Sequence, residues 1–132
     1  MYQITRNHIV EELEISDNGK KLQLKVDISA DTILTAYNKA QYKLAEASIM
    51  ANKAKDDKDT AKAEEAMGNA ILGLFEVVFG ESQTQKIVKF YDNRYLEMLG
   101  DIAPFISDVI TPKVQEAQKR IGDRYKQVAS RK

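Results

Sequence analysis

Few residues in this 132-residue chain are of a type that could do chemistry, and their spacing narrows what chemistry is open. The single histidine, His8, has no second histidine with which to share a metal or complete a nucleophile–base pair. It reads as an exposed or edge-strand side chain. There is no cysteine, which removes thiolate catalysis, disulfides and cysteine-ligated zinc or iron–sulfur centres. Asp56, Asp57 and Asp59 stand close together but lack the glycine and the closing bidentate glutamate of a calcium loop. They read instead as a solvated turn in which an aspartate caps a helix. Glu64 and Glu65 fall on the polar face of the helix that follows, with no matching carboxylates at metal-site spacing elsewhere. Gly68, Gly73 and Gly80 are not a phosphate loop, because no Gly-Lys-Ser/Thr follows a strand. No catalytic, metal or cofactor site is expected, and an enzyme is the least favoured class.

Recognition has more to work with. Phe75, Phe79, Phe90, Tyr91, Tyr95 and Phe105 lie at helical spacings. Aromatics so placed are mostly core, but part of the set could line a groove for a partner helix, and both readings stand. The charges divide unevenly. The chain carries 20 basic and 20 acidic residues. From residue 113 onward there are 7 basic residues (Lys113, Lys119, Arg120, Arg124, Lys126, Arg131, Lys132) against 2 acidic ones (Glu116, Asp123), so the tail is +5 and residues 1–112 are −5. A helix bearing Lys119, Arg120, Arg124 and Lys126 could contact phosphates. No aromatic platform or recognition motif accompanies it, which favours protein–protein use or a solvated amphipathic helix over nucleic acid. The overall cancellation argues against a whole-surface nucleic-acid binder and mildly favours self-association.

The elements that position these residues can be read from periodicity. A hydrophobic share of 43% with 30% charged residues suits one packed domain of this length. Residues 1–28 read as a β-hairpin: Ile9, Leu13 and Ile15 alternate on one side of Asp17-Asn18-Gly19, and Leu22, Leu24, Val26 and Ile28 on the other. Glu11 interrupts the first phase and predicts an irregular strand there. Such a hairpin needs helices or another chain over its apolar side, and its edge could recruit a partner strand. Residues 29–80 predict a helical hairpin. One stripe runs Ile33, Tyr37, Ala40, Leu44, Ala47, Ala51 and another Ala63, Met67, Ala70, Leu74, Val77, and their registers do not join across Asp56–Asp59. A single uninterrupted helix is the alternative. The many alanines imply closely approaching backbones. Residues 81–132 predict further helices, with Gly80 as a cap, Ser82 and Gln85 as a capping box, Gly100-Asp101 as punctuation, Pro104 as a helix start or kink, and Thr111-Pro112 as the N-terminus of the last helix. The fold class expected is α+β, mainly α, with an N-terminal β-hairpin and four to five amphipathic helices. No apolar run reaches the ~20 residues that cross a bilayer. The segment from Met1 to Arg6 lacks the apolar run of a signal peptide, so the cytoplasm is the expected compartment.

From Ala70 to Pro112 the chain carries Leu74-Phe75, Phe79-Gly80-Glu81, Lys86-Ile87, Phe90-Tyr91, Tyr95 and Glu97-Met98-Leu99. It continues with Ile102, Pro104-Phe105-Ile106, Ile110 and Pro112. This pattern, over about a third of the chain, resembles the small tail-assembly chaperones of long-tailed bacteriophages and prophages of Gram-positive bacteria. The resemblance lies in hydrophobic spacings and helix punctuation. It implies a non-enzymatic protein of the bacterial host cytoplasm that binds the tape-measure protein, keeps it soluble until the tube forms, and engages the major tail tube protein through a longer frameshifted product. The six aromatics, with Lys119, Arg120 and Arg124, are then the candidate partner-binding residues. Two other functions fit a small α-rich domain with strands: a virion structural component such as a head–tail connector or tail-completion protein, and a nucleic-acid-binding regulator using the basic C-terminal helix.

Overall fold

A computed structural model describes residues 1–4 and 8–130 of the chain; the side chains of residues 30–32, 124 and 127–130 lie outside that description. Strands β1 (His8–Asp17) and β2 (Lys20–Ser29) form an antiparallel hairpin. Asn18 and Gly19 both take positive φ, 47° and 82°, the geometry that matches a two-residue turn to the twist of its strands. The register pairs Ile9 with Ile28, Leu13 with Leu24 and Ile15 with Leu22, so both apolar sets lie on one face. Glu11 does not disturb this register. It stays in phase opposite Val26, and its carboxylate is met by the Lys113 ammonium from the last helix. An acid on the apolar face is tolerated because a cation reaches it.

The helices are α1 (Ala30–Lys53), α2 (Asp57–Phe79), α3 (Glu81–Phe90), α4 (Tyr95–Phe105) and α5 (Thr111–Ser130), with a π-helical turn at Ile106–Ile110 between α4 and α5. α1 and α2 form the helical hairpin, so the single-helix alternative is excluded. The break falls at residues 54–56, reaching into the start of the aspartate cluster, and Asp56 caps α2 by accepting from the Asp59 amide at 2.7 Å. α2 is the central element. Ala70, Ile71, Leu74, Phe75, Val78 and Phe79 are all buried, and the helix touches α1, α3, α4 and β2. One core runs from Ile9 and Val26 in the sheet through Phe75 and Ile87 to Ile110 and Val114.

Four of the local readings are corrected in whole or in part, although the last helix does start at Thr111 as expected. Gly80, with φ 82°, ends α2 and also precedes α3, whose first residue is Glu81. Ser82 therefore sits inside the first turn and no side chain caps α3, which overturns the Ser82–Gln85 box. Gly100 and Asp101 do not interrupt α4, because the helix carries buried residues on both sides of them, Met98 and Ile102, and packing outweighs local propensity. Of the two roles expected of Pro104, helix start or kink, the first is excluded, because Pro104 lies inside α4. Thr111 is helical (φ −56°, ψ −47°) and is not an N-cap, because the chain passes from the π turn into α5 without unwinding. The Thr111 amide donates to the Ile106 carbonyl, a bond one residue wider than α-helical. Pro104 and Pro112 bracket this turn, and each lacks the donor that an α-helical ladder would require.

Candidate functional site

The six aromatics divide by burial. Phe75 and Phe79 are core residues of α2, in edge-to-face contact with centroids 5.8 Å apart. Phe79 stacks on Phe105 of α4 at 6.2 Å, and Tyr91 is buried at the end of α3. Phe75, Phe79 and Tyr91 thus present no surface to a partner in this conformation, and their expected role as contact residues is corrected to core packing. Phe90, Tyr95 and Phe105 are half-buried. The Tyr91 hydroxyl donates to Asp101 Oδ2 at 3.0 Å, tying α3 to α4. Burial first, then this carboxylate partner, pushes the Tyr91 phenol well above its ordinary range.

Lys119 and Arg120 are exposed on α5, while the Arg124 side chain lies outside the described residues. Arg120 pairs with Glu116 one turn earlier and holds that carboxyl below the usual carboxylate range. Val114 and Ala117 anchor the first half of α5 in the core. From Gln118 through Lys126 every described side chain is exposed, including Ile121 and Tyr125. Among the described residues, the amphipathic stripe therefore continues beyond the buried half of α5 and is left uncovered.

His8 is exposed at the start of β1, with its ring Nδ1 3.0 Å from Asp27. Among the described residues no three His, Asp or Glu side chains converge to hold a metal ion, and no helix is long and apolar enough to cross a membrane.

Two open grooves flank the helical hairpin. The first is a furrow of about 450 Å³ along the α1–α2 seam. Its α1 wall carries Ala36, Ala40, Ala47 and Met50, and its α2 wall Ala66, Ala70, Gly73 and Val77; Lys39, Lys43, Glu46 and Asn69 are at its rim. The α1 wall spans about 21 Å at 1.5 Å per residue, enough for several turns of a helix lying alongside. A Cβ added at Gly73 would meet nothing within 4 Å, so the floor there is open. The second groove, about 500 Å³, lies where the hairpin tip meets α4, lined by Ala51, Ala54, Ala63, Met67, Ile71, Tyr95 and Leu96 with Glu64, Arg94 and Glu97 at its edge. At Gly68 an added Cβ would come 3.3 Å from the Tyr95 ring, so the missing side chain is what lets α4 close against α2.

Comparison with protein-family models, curated proteins and solved structures finds no match to this chain.

The chain's own residues must therefore carry the assignment. The furrow residues were not singled out as a site by the aromatic and charge pattern. Their signal was the run of alanines at helical spacing, which implies close backbone approach; the structure uses it partly between α1 and α2 and leaves part of it open.

Proposed function

We propose that this chain is a non-enzymatic assembly chaperone of the phage-tail type, acting in the bacterial cytoplasm, that binds an amphipathic helix of a long helical partner, the tape-measure protein. The observation that carries this reading is the α1–α2 furrow: a helix-length, small-residue trough open along one side of an otherwise well-packed domain. Helix-in-groove recognition needs such a trough, because small walls let the incoming helix bring its own larger side chains close to the backbone. Lys39 and Lys43 on the rim favour a partner with an acidic flank. The resemblance across residues 70–112 supports the same reading. A long helix exposing apolar stripes aggregates unless they are covered, and a reversible cover supplies that protection until a tube encloses it.

Co-expression with the tape-measure protein of a long-tailed phage tests the reading. A soluble complex that co-purifies is expected, with the tape-measure protein insoluble when expressed alone. Gly73→Met, which fills the furrow floor from a position with free space, should abolish co-purification while the variant itself stays folded. Equal solubility of the tape-measure protein with and without the chain, and no co-purification, would overturn it.

A further inference from the structure

The exposed half of α5 and the groove at the hairpin tip are both incomplete, and their chemistries match. Residues 118–130 would extend about 20 Å as a helix. Ile121 and Tyr125 are one turn apart on one face, 41% and 77% exposed, and they continue the stripe that Val114 and Ala117 bury. The tip groove is walled by Ala51, Ala63 and Met67 and carries Leu96 at 70% exposure on its lip. In the same molecule the groove is open while Ile121 and Tyr125 are solvated, so these two side chains do not fill their own chain's groove. The charges point the same way: the tail is +5 and the rest of the chain −5, and Glu64 stands at the groove edge beside Glu97, which pairs with Arg94 at 3.7 Å.

We propose that the α5 tail of one copy docks in the tip groove of a second copy of this chain, with Ile121 and Tyr125 seated against Ala51, Met67 and Leu96 and the tail cations facing Glu64. Donor and acceptor are different surfaces, so the contact is heterologous and each copy keeps one free tail and one free groove. The product is an open head-to-tail array. This contact does not rest on the furrow's binding a client, since it uses other residues. One tail helix buries less than a standard interface, so the association is weak, dependent on concentration and weakened by salt.

Sedimentation velocity on the intact protein tests it. The wild type should show a sedimentation coefficient that rises with concentration at low salt and falls back at high salt. Two variants at exposed positions should each remain monomeric: Ile121→Asp with Tyr125→Asp, which breaks the tail, and Ala51→Arg with Leu96→Lys, which blocks and repels at the groove. Circular dichroism melts like the wild type's check that both stay folded. Mixing the two variants should restore a species of two chains and nothing larger, because only one intact tail and one intact groove then remain. A wild type that stays monomeric across the whole concentration range, variants that associate as the wild type does, or a mixture that stays monomeric would each overturn the proposal. Loss of client binding in the co-expression experiment would leave this result untouched.

Discussion

Gly68 and Gly73 sit on the same helix and differ only in what surrounds them. Both weaken α2 by helix propensity, by about 1 kcal/mol relative to alanine. At Gly73 the added methyl group meets open space, so Gly73→Ala should raise stability by up to that amount, seen as a higher midpoint in thermal or urea unfolding. At Gly68 the Tyr95 ring stands 3.3 Å from the new Cβ, and Gly68→Ala should give no such gain or a net loss. A gain at Gly68 equal to that at Gly73 would mean that Tyr95 does not pack as described. Tyr91 makes a prediction in pH. Its phenol is raised in the fold by burial and by the bond to Asp101, so the folded state holds its proton after the unfolded chain has released it near the ordinary value of about 10. Unfolding then releases a proton, and stability contributed by Tyr91 is complete below that pH and declines above it. Tyr91→Phe should lose about 1 kcal/mol at neutral pH from the missing hydrogen bond and should flatten the alkaline loss followed by denaturant titration.

Elements were legible wherever the signal was local. Asn18-Gly19 demands a tight turn whatever surrounds it, Gly80 suits a helix end, and mismatched stripes around Asp56 require a break; all three correspond to features of the fold. The misread positions are those where tertiary contact decides. Gly100 looks like a stop but is carried through by Met98 and Ile102, and Thr111 looks like a cap but spends its hydroxyl on Tyr37, whose own hydroxyl also accepts from Gln41 at 2.9 Å. The aromatic stripe could not be divided into core and groove because helical spacing is the same for both. Gln83 is the clearest case of a role invisible in one dimension. Its side-chain amide accepts from the Lys25 amide at 2.8 Å and donates to the Lys25 carbonyl at 2.7 Å, imitating a neighbouring strand on the outer edge of β2. The edge expected to be open to a partner strand is thus occupied at that point by α3. Gln83→Ala should cost about 1–2 kcal/mol and speed hydrogen exchange at the Lys25 amide; exchange as slow as in the wild type would show that the bond does not protect the edge.

The molecule as a whole separates a closed core from open surfaces, among them the two grooves beside the helical hairpin. The core explains why Phe75 and Phe79 matter without touching a partner: Phe75→Ala should destabilise by about 3–5 kcal/mol, whereas Lys119→Ala should leave the unfolding midpoint nearly unchanged. The open surfaces separate in space, the furrow along the α1–α2 seam and the groove at the hairpin tip. A net-neutral chain built as −5 and +5 parts is suited to contacts with its own copies, and a furrow of helix length is suited to a rod-like client. Copies joined tail to groove would present successive furrows to such a client. The most direct measurement of the central claim is a titration of isotope-labelled protein with a tape-measure peptide long enough to form an amphipathic helix, followed by backbone amide shifts. Shifts confined to residues lining the α1–α2 furrow, and absent in Gly73→Met, are the predicted result. Shifts that avoid the furrow, or that persist unchanged in the filled variant, would contradict it.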